Sequence, residues 1–216
     1  MNTIRLLATT AILAALTSTP AAARAGRFDS ELHEVQAGWA IANYSTSDRA
    51  ERIQAFETLA AQAAALTQQY PDSAEPLVWE GIVLSTFAGV KGGLGALGLA
   101  RQARGKLEAA EQIDPDALDG SVYTSLGTLY YKLPGWPISF GNDDRALEYL
   151  EKALAINPDG IDPNFFYGEF LAENGDREKA RQHLQKALQA PARPGRPLAD
   201  EGRRDEIQSL LRDLDR

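Results

Sequence analysis

Groups that could do chemistry are sparse in this chain. It has two histidines, His33 and His183, and no cysteine, against 30 aspartates and glutamates. Nucleophilic catalysis needs a serine, cysteine or lysine activated by a neighbouring base, and a metal centre needs several ligands at short spacing. His33 stands on the polar face of its segment and His183 falls between Ala180 and Leu184; neither has a ligand-type residue at the required spacing. Both read as structural or surface residues. Glu148, Glu151, Glu173 and Glu178 fall on the outer faces of amphipathic segments. A glycosidase needs two carboxylates facing across a cleft, and the linear order singles out no such pair. The string Gly93-Leu94-Gly95-Ala96-Leu97-Gly98 matches a dinucleotide fingerprint. Such a fingerprint works only after a strand and within a parallel βαβ unit, and neither pattern is present; Lys91 also precedes the glycines, the reverse of a P-loop. The expectation is a non-enzymatic protein without cofactor or metal.

What remains is binding. The segment LPGWPISFGND, Leu133 to Asp143, is stiffened by Pro134 and Pro137, yet Trp136, Ile138 and Phe140 are more apolar than a solvated loop calls for. Those side chains either pack over an edge of the fold or anchor another chain, as aromatic residues often do. A second candidate, Ala88 to Gly98, is glycine-rich and carries Lys91. It reads as a widened turn, either a flexible connection or a contact loop.

The elements that position these segments show in a repeated stripe. Ala180, Leu184 and Ala187 recur at intervals of four and three, which places them on one helical face. The spacing returns as Ala146, Leu150, Ala153 and as Ala103, Leu107, Ala110, with Leu59, Ala63, Leu66 a divergent copy. Pro158, Pro115 and Pro71 lie just past those three earlier copies, where proline stops a helix. Upstream lies a first helix with its own glycine: Gly81, Gly127 and Gly168. Ile161 to Pro191 forms one complete unit, with a turn at Asn174, Gly175 and Asp176. This is the pattern of a tetratricopeptide repeat, whose period is about 34 residues. The predicted fold is all-α: a helix-turn-helix solenoid of about four repeats. Residues 26–71 form an atypical N-terminal repeat and 72–191 three repeats with inserted loops at 88–98 and 133–143. Both loops join a first helix to a second, so they should share one edge of the stack.

Phe28 to Tyr44 reads as a helix with Leu32, Val35, Trp39 and Ile41 apolar, and Asp48 as the cap of the next. Residues 192–216 read as a linker and a C-terminal capping helix from near Asp200, with an apolar stripe of Ile207, Leu210, Leu211 and Leu214. Met1 to Ala25 reads as a signal peptide: a basic start, a short apolar run, and Ala23-Arg24-Ala25 before cleavage at Gly26, with Ala21-Ala22-Ala23 permitting cleavage two residues earlier. The run is too short to span a bilayer, so the expectation is an exported, periplasmic protein with no stable membrane insertion after cleavage. Losing Arg5 and Arg24 takes the formal charge from −8 to −10. A surface that acidic disfavours nucleic acid.

Leu133-Pro134-Gly135-Trp136-Pro137 with Phe140-Gly141, the run Asn157-Pro158-Asp159-Gly160-Ile161-Asp162-Pro163-Asn164 and the glycine-rich segment before them resemble the periplasmic T-component proteins of TRAP transporters. The likeness spans roughly residues 70–200, most specifically Tyr123 to Tyr167. It implies an α-helical partner of a periplasmic solute-binding protein, with homo-oligomers among its forms, acting in uptake of small apolar or anionic ligands. Family members include lipoproteins; this chain has no cysteine for a lipid. By resemblance to tetratricopeptide arrays, first helices line a concave groove, here through Val78, Ile82, Thr124, Thr128, Tyr131, Lys132, Phe165 and Glu169. With Lys91, Trp136 and Phe140 these are the candidate partner-binding residues. The alternatives are a periplasmic carrier of a small apolar ligand, with an enclosed cavity under Trp136 and Phe140, and a scaffold in cell-envelope assembly.

Overall fold

Capping and proline chemistry cut the chain into helices where the sequence places the breaks. The computed structural model describes residues 21–216, so most of the leader read from the sequence lies outside the described residues. Among the described residues the elements are α1 (Ala21–Ala40), a π-helical turn (Ile41–Ser45), α2 (Arg49–Gln69), α3 (Ala74–Lys91), α4 (Gly93–Ile113), α5 (Ala117–Lys132), α6 (Asp143–Ile156), α7 (Ile161–Glu173), α8 (Arg177–Leu188) and α9 (Pro197–Leu214). No strand is present among these residues. Pro71, Pro115 and Pro158 fall just beyond α2, α4 and α6, where a ring without an N–H ends the ladder. Asp48 caps α2, its Oδ1 accepting from the N–H groups of Ala50 and Glu51 at 2.9 Å each. Asp48→Ala should therefore cost about 1 kcal/mol in denaturant unfolding while Asp48→Asn, an equally good cap, should not.

Helices pair as α1/α2, α3/α4, α5/α6 and α7/α8, four hairpins stacked side by side. The stripes drive the pairing. Ala103, Leu107, Ala110, Ala146, Leu150, Ala153, Ala180, Leu184 and Ala187 all have zero solvent exposure. Each central leucine lies over the glycine of its partner helix. A Cβ on Gly81, Gly127 or Gly168 would come within 2.6, 2.7 and 3.0 Å of Cγ of Leu107, Leu150 and Leu184. The first hairpin uses a variant of this contact that the sequence reading missed: Gly38 of α1 faces Leu59, whose Cδ1 would lie 2.9 Å from an added Cβ.

Three expectations change and one feature is new. The segment 88–98 is not a loop: α3 continues to Lys91 and α4 begins at Gly93, so the ten extra residues lengthen two helices. The single break falls at Gly92 and Gly93, whose φ angles of 65° and 64° are the left-handed conformation that suits glycine. Ile41 is 54% exposed, because the π-helical turn rotates it off the stripe shared by Leu32, Val35 and Trp39. Residues Leu118 to Gly120 of α5 form a left-handed turn, so its regular part starts at Ser121. Finally, α9 does more than cover the last repeat.

That helix spans the two ends of the stack. Ile207 and Leu214 pack with Ala180, Leu184 and Ala187 of the last hairpin. Ala199 and Leu198 join the N-terminal cluster that contains Trp39, Phe56 and Trp79. Gly202 lies against Tyr44, where a Cβ would be 2.3 Å from the ring. The Tyr44 hydroxyl donates to Glu206 at 3.3 Å. Its start precedes the expected one by three residues, with Pro197 at the first helical position.

Candidate functional site

Between α9 and the inner faces of α3, α5 and α7 lies a cleft of about 910 Å³. First helices project the same side of each hairpin inward, and α9 lies across part of the groove they form. Ile82, Thr124, Thr128, Lys132, Phe165 and Glu169 line it, as the resemblance to tetratricopeptide arrays implies. Val78 does not: it is wholly buried in the core between α3 and its neighbours. Tyr131 stands behind the wall, its hydroxyl donating to Glu169 at 2.6 Å. Burial pushes that hydroxyl well above its ordinary range, and the Glu169 carboxylate adds to the effect. Lys132 bridges Glu169 at 2.9 Å and Glu173 at 2.5 Å; burial would lower its ammonium, but the two carboxylates hold it above its usual value.

Residues that the sequence did not assign to the site complete the wall and back it. Arg203 is 7% exposed. It donates to Asp162 at 2.8 Å and Glu206 at 2.5 Å, with its guanidinium 4.4 and 4.5 Å from the Phe165 and Phe166 rings. Arg193 joins Asp162 at 2.5 Å and Asp200 at 2.6 Å. Burial pushes the Asp162 carboxyl up, but Arg203 and Arg193 overcome it and hold the group well below the usual carboxylate range. Burial raises the Tyr44 hydroxyl to about 12 despite the opposing Arg203 charge. Trp39 and Trp79 meet edge to face at 6.0 Å on the same wall, and Trp39 Nε1 donates to Thr86 at 3.0 Å. The charge alternation along α9 was the available signal, but its partners come from α7, thirty or more residues away.

The loop between α5 and α6 is built differently. Gly141 N–H donates to Pro134 O at 3.0 Å, Ile138 N–H and Ser139 N–H donate to Gly135 O at 3.1 and 3.2 Å, and Asn142 N–H donates to Tyr130 O at 2.9 Å. A Cβ on Gly141 would fall 1.9 Å from Leu133 O, so the close approach needs glycine. Phe140 packs inward, 5.5 Å from the Tyr130 ring and under the Arg104 guanidinium at 4.3 Å. Trp136 is 89% exposed and Ile138 63%. Of the two alternatives for these side chains, packing over the edge thus holds for Phe140 alone. Lys91 is exposed, its carbonyl accepting from Arg49 at 3.0 Å. Gly92 and Ala96 line the same cleft as Lys132 and Leu133, so the α3/α4 and α5/α6 junctions do share an edge. Neither Trp136 nor Phe140 lines the cleft, so the cavity expected beneath them lies elsewhere, under α9.

The two histidines are accounted for locally. His33 is exposed beside Gly195, and His183 Nδ1 lies 3.1 Å from Oδ1 of the wholly buried Asn164, with Tyr167 edge-on at 4.7 Å. Glu148, Glu151, Glu173 and Glu178 are exposed. Among the described residues no group of three or more His, Cys, Asp or Glu is placed to hold a metal, and no helix is long and apolar enough to cross a membrane.

A family model described as tetratricopeptide repeat matches residues 139–194, which hold α6 and the fourth hairpin, α7 and α8. The crystal structure of a thermophilic TPR protein from Thermus thermophilus is similar in fold, with a TM-score of 0.55 and 18% identity over 88% of this chain and 94% of that one. The MamA protein aligns with a TM-score of 0.40 and 17% identity, over 86% and 91% of the two chains. For PilF of Pseudomonas aeruginosa the values are 0.38 and 17%, over 89% and 93%. No curated protein matches the sequence.

Proposed function

We propose that this tetratricopeptide-repeat protein is a non-enzymatic interaction module of the periplasm that meets its protein partner through the loop between α5 and α6. The observation that carries the reading is the exposure of Trp136 and Ile138 on a loop that four backbone hydrogen bonds and the clamped Phe140 hold in shape. An apolar pair kept in water at a fixed position costs free energy in the isolated chain, and burying a tryptophan commonly dominates an interface. Occupation of part of the concave face by α9 favours this edge over the groove as the docking site. Export rests on the leader pattern of Met1 to Ala25. The finer reading is an accessory of a TRAP-type uptake system that docks a solute-binding protein, as the resemblance around Trp136 implies; an envelope scaffold differs from it only in the partner.

The test is capture from periplasmic extract by the chain from Gly26, read by mass spectrometry, beside Trp136→Ala with Ile138→Ala. Phe140 is left intact because its ring is part of the packing. Wild type should retain a solute-binding protein, and the double variant should lose it with an unchanged unfolding midpoint. Equal capture by both would remove the loop from the interface, and capture of a different envelope protein through the loop would replace the transporter reading with the scaffold.

A further inference from the structure

The cleft under α9 is balanced in charge where the whole chain is acidic, Arg52, Lys132, Arg196 and Arg203 lining it with Asp162, Glu169, Glu206 and Asp213. The protein carries a formal charge of −8, yet each carboxylate on the cleft wall already has a cation. Asp162 holds Arg193 and Arg203, Glu206 holds Arg203, Glu169 holds Lys132, and Asp213 holds Arg216. Two lining cations, Arg52 and Arg196, have no carboxylate within 4 Å among the described residues. The Nε of each is buried and lacks a hydrogen-bond partner. Beside Arg196, whose guanidinium lies 5.0 Å from the Trp79 ring, the indole Nε1 of Trp79 also has no partner, in a side chain only 2% exposed. Native proteins rarely leave buried donors without acceptors, and the adjacent pair of Arg196 and Trp79 on the cleft wall marks a place for an acceptor from outside the chain.

The remainder of the wall says what kind of molecule carries that acceptor. Arg196 and Trp79 sit at the end where α3 starts. Val90, Ala96, Leu129 and Leu133 give the other end an apolar lining, about 16 Å away along α3 at 1.5 Å per residue. Arg52 flanks that apolar end rather than the Arg196 end, since α2 starts beside the end of α3, where Arg49 reaches Lys91 O; it is Arg196 that has a second orphaned donor, Trp79 Nε1, beside it. We infer that the cleft binds an amphipathic carboxylate, its acid group on Arg196 beside Trp79 and its hydrocarbon body against the apolar end. A charge-assisted bond to a desolvated guanidinium is about twice as strong as a neutral one, so the site discriminates acid from alcohol of the same length. The inference deepens the carrier reading and is independent of the docking loop; its failure leaves Trp136 untouched.

Isothermal titration of the chain from Gly26 with decanoate, decanol and decyltrimethylammonium, each below its micelle concentration, tests it. Decanoate should bind at least about tenfold more tightly than decanol, and the cation should give no heat. Arg196→Gln should bring decanoate and decanol to equal affinity with an unchanged helical spectrum, and Arg196→Lys should keep part of the preference. Equal binding of acid and alcohol by wild type, absence of decanoate binding, or a preference that survives Arg196→Gln would each overturn the inference.

Discussion

Replacing Gly127 with alanine should destabilise the protein by about 2 kcal/mol, lowering the unfolding midpoint by about 4–8 °C at this chain length. The new Cβ would stand 2.7 Å from Leu150 Cγ, 2.9 Å from its Cδ2 and 3.2 Å from Ala146 O. The leucine is wholly buried and the carbonyl belongs to a helix, so neither can retreat without moving α6. Overpacking costs about 1–3 kcal/mol, and contacts this short put Gly127 at or above the top of that range. Alanine's better helix propensity returns only about 1 kcal/mol. The control lies nearby: Gly105 of α4 is exposed with nothing within 4 Å, so Gly105→Ala should raise the midpoint through propensity alone. Leu150→Ala costs about 2–5 kcal/mol alone, and adding Gly127→Ala should then be nearly free because the methyl gains room. A neutral Gly127→Ala in denaturant unfolding would mean the hairpins are not held at glycine-to-leucine distance.

The second large effect sits on α9. Arg203→Met should cost about 3–5 kcal/mol, because it strips a buried cation from Asp162 and Glu206 while leaving both carboxylates in place. Adding Asp162→Asn should recover part of the loss. The pH dependence follows from the direction of each shift. Asp162 is depressed when folded, so its contribution is complete above the unfolded value of about 3.9 and is lost as pH falls below it. Glu206 acts in the reverse sense: burial pushes its carboxyl up, despite Arg203, so its contribution shrinks as pH rises through that raised value. Wild type should therefore lose stability steeply below about pH 4, and Arg203→Met, with only Arg193 left on Asp162, should show a shallower acid limb. Parallel limbs in both proteins would place the acid sensitivity elsewhere.

The hairpins were legible because their signal is local. Alanine, leucine and alanine at four and three, with a glycine upstream and a proline downstream, place three buried side chains and a helix stop on one face. Two features escaped for physical reasons. The glycines of Gly93 to Gly98 look like turn formers, but only Gly92 and Gly93 take positive φ; the rest continue α4, where a helix packed on neighbours tolerates them. The course of α9 was invisible because an apolar stripe such as Ile207, Leu210, Leu211 and Leu214 is the same whether a helix caps the last repeat or reaches back to Tyr44. What directs it is the ion network of Asp162, Arg193 and Arg203, which joins residues 31 and 41 positions apart. Of the first-helix positions that the resemblance to tetratricopeptide arrays implies, six line the cleft and two do not: Val78 falls on the side that packs against α4, and Tyr131 stands behind Glu169.

Recognition at the edge loop rather than in the concave face is most directly tested by photo-crosslinking in living cells. A benzoylphenylalanine is placed at Trp136 in one strain and at Thr128, on the cleft wall, in another. A protein adduct is expected from position 136 and none from position 128. A protein adduct from position 128 with none from 136 would contradict it, showing that α9 yields the groove to the partner.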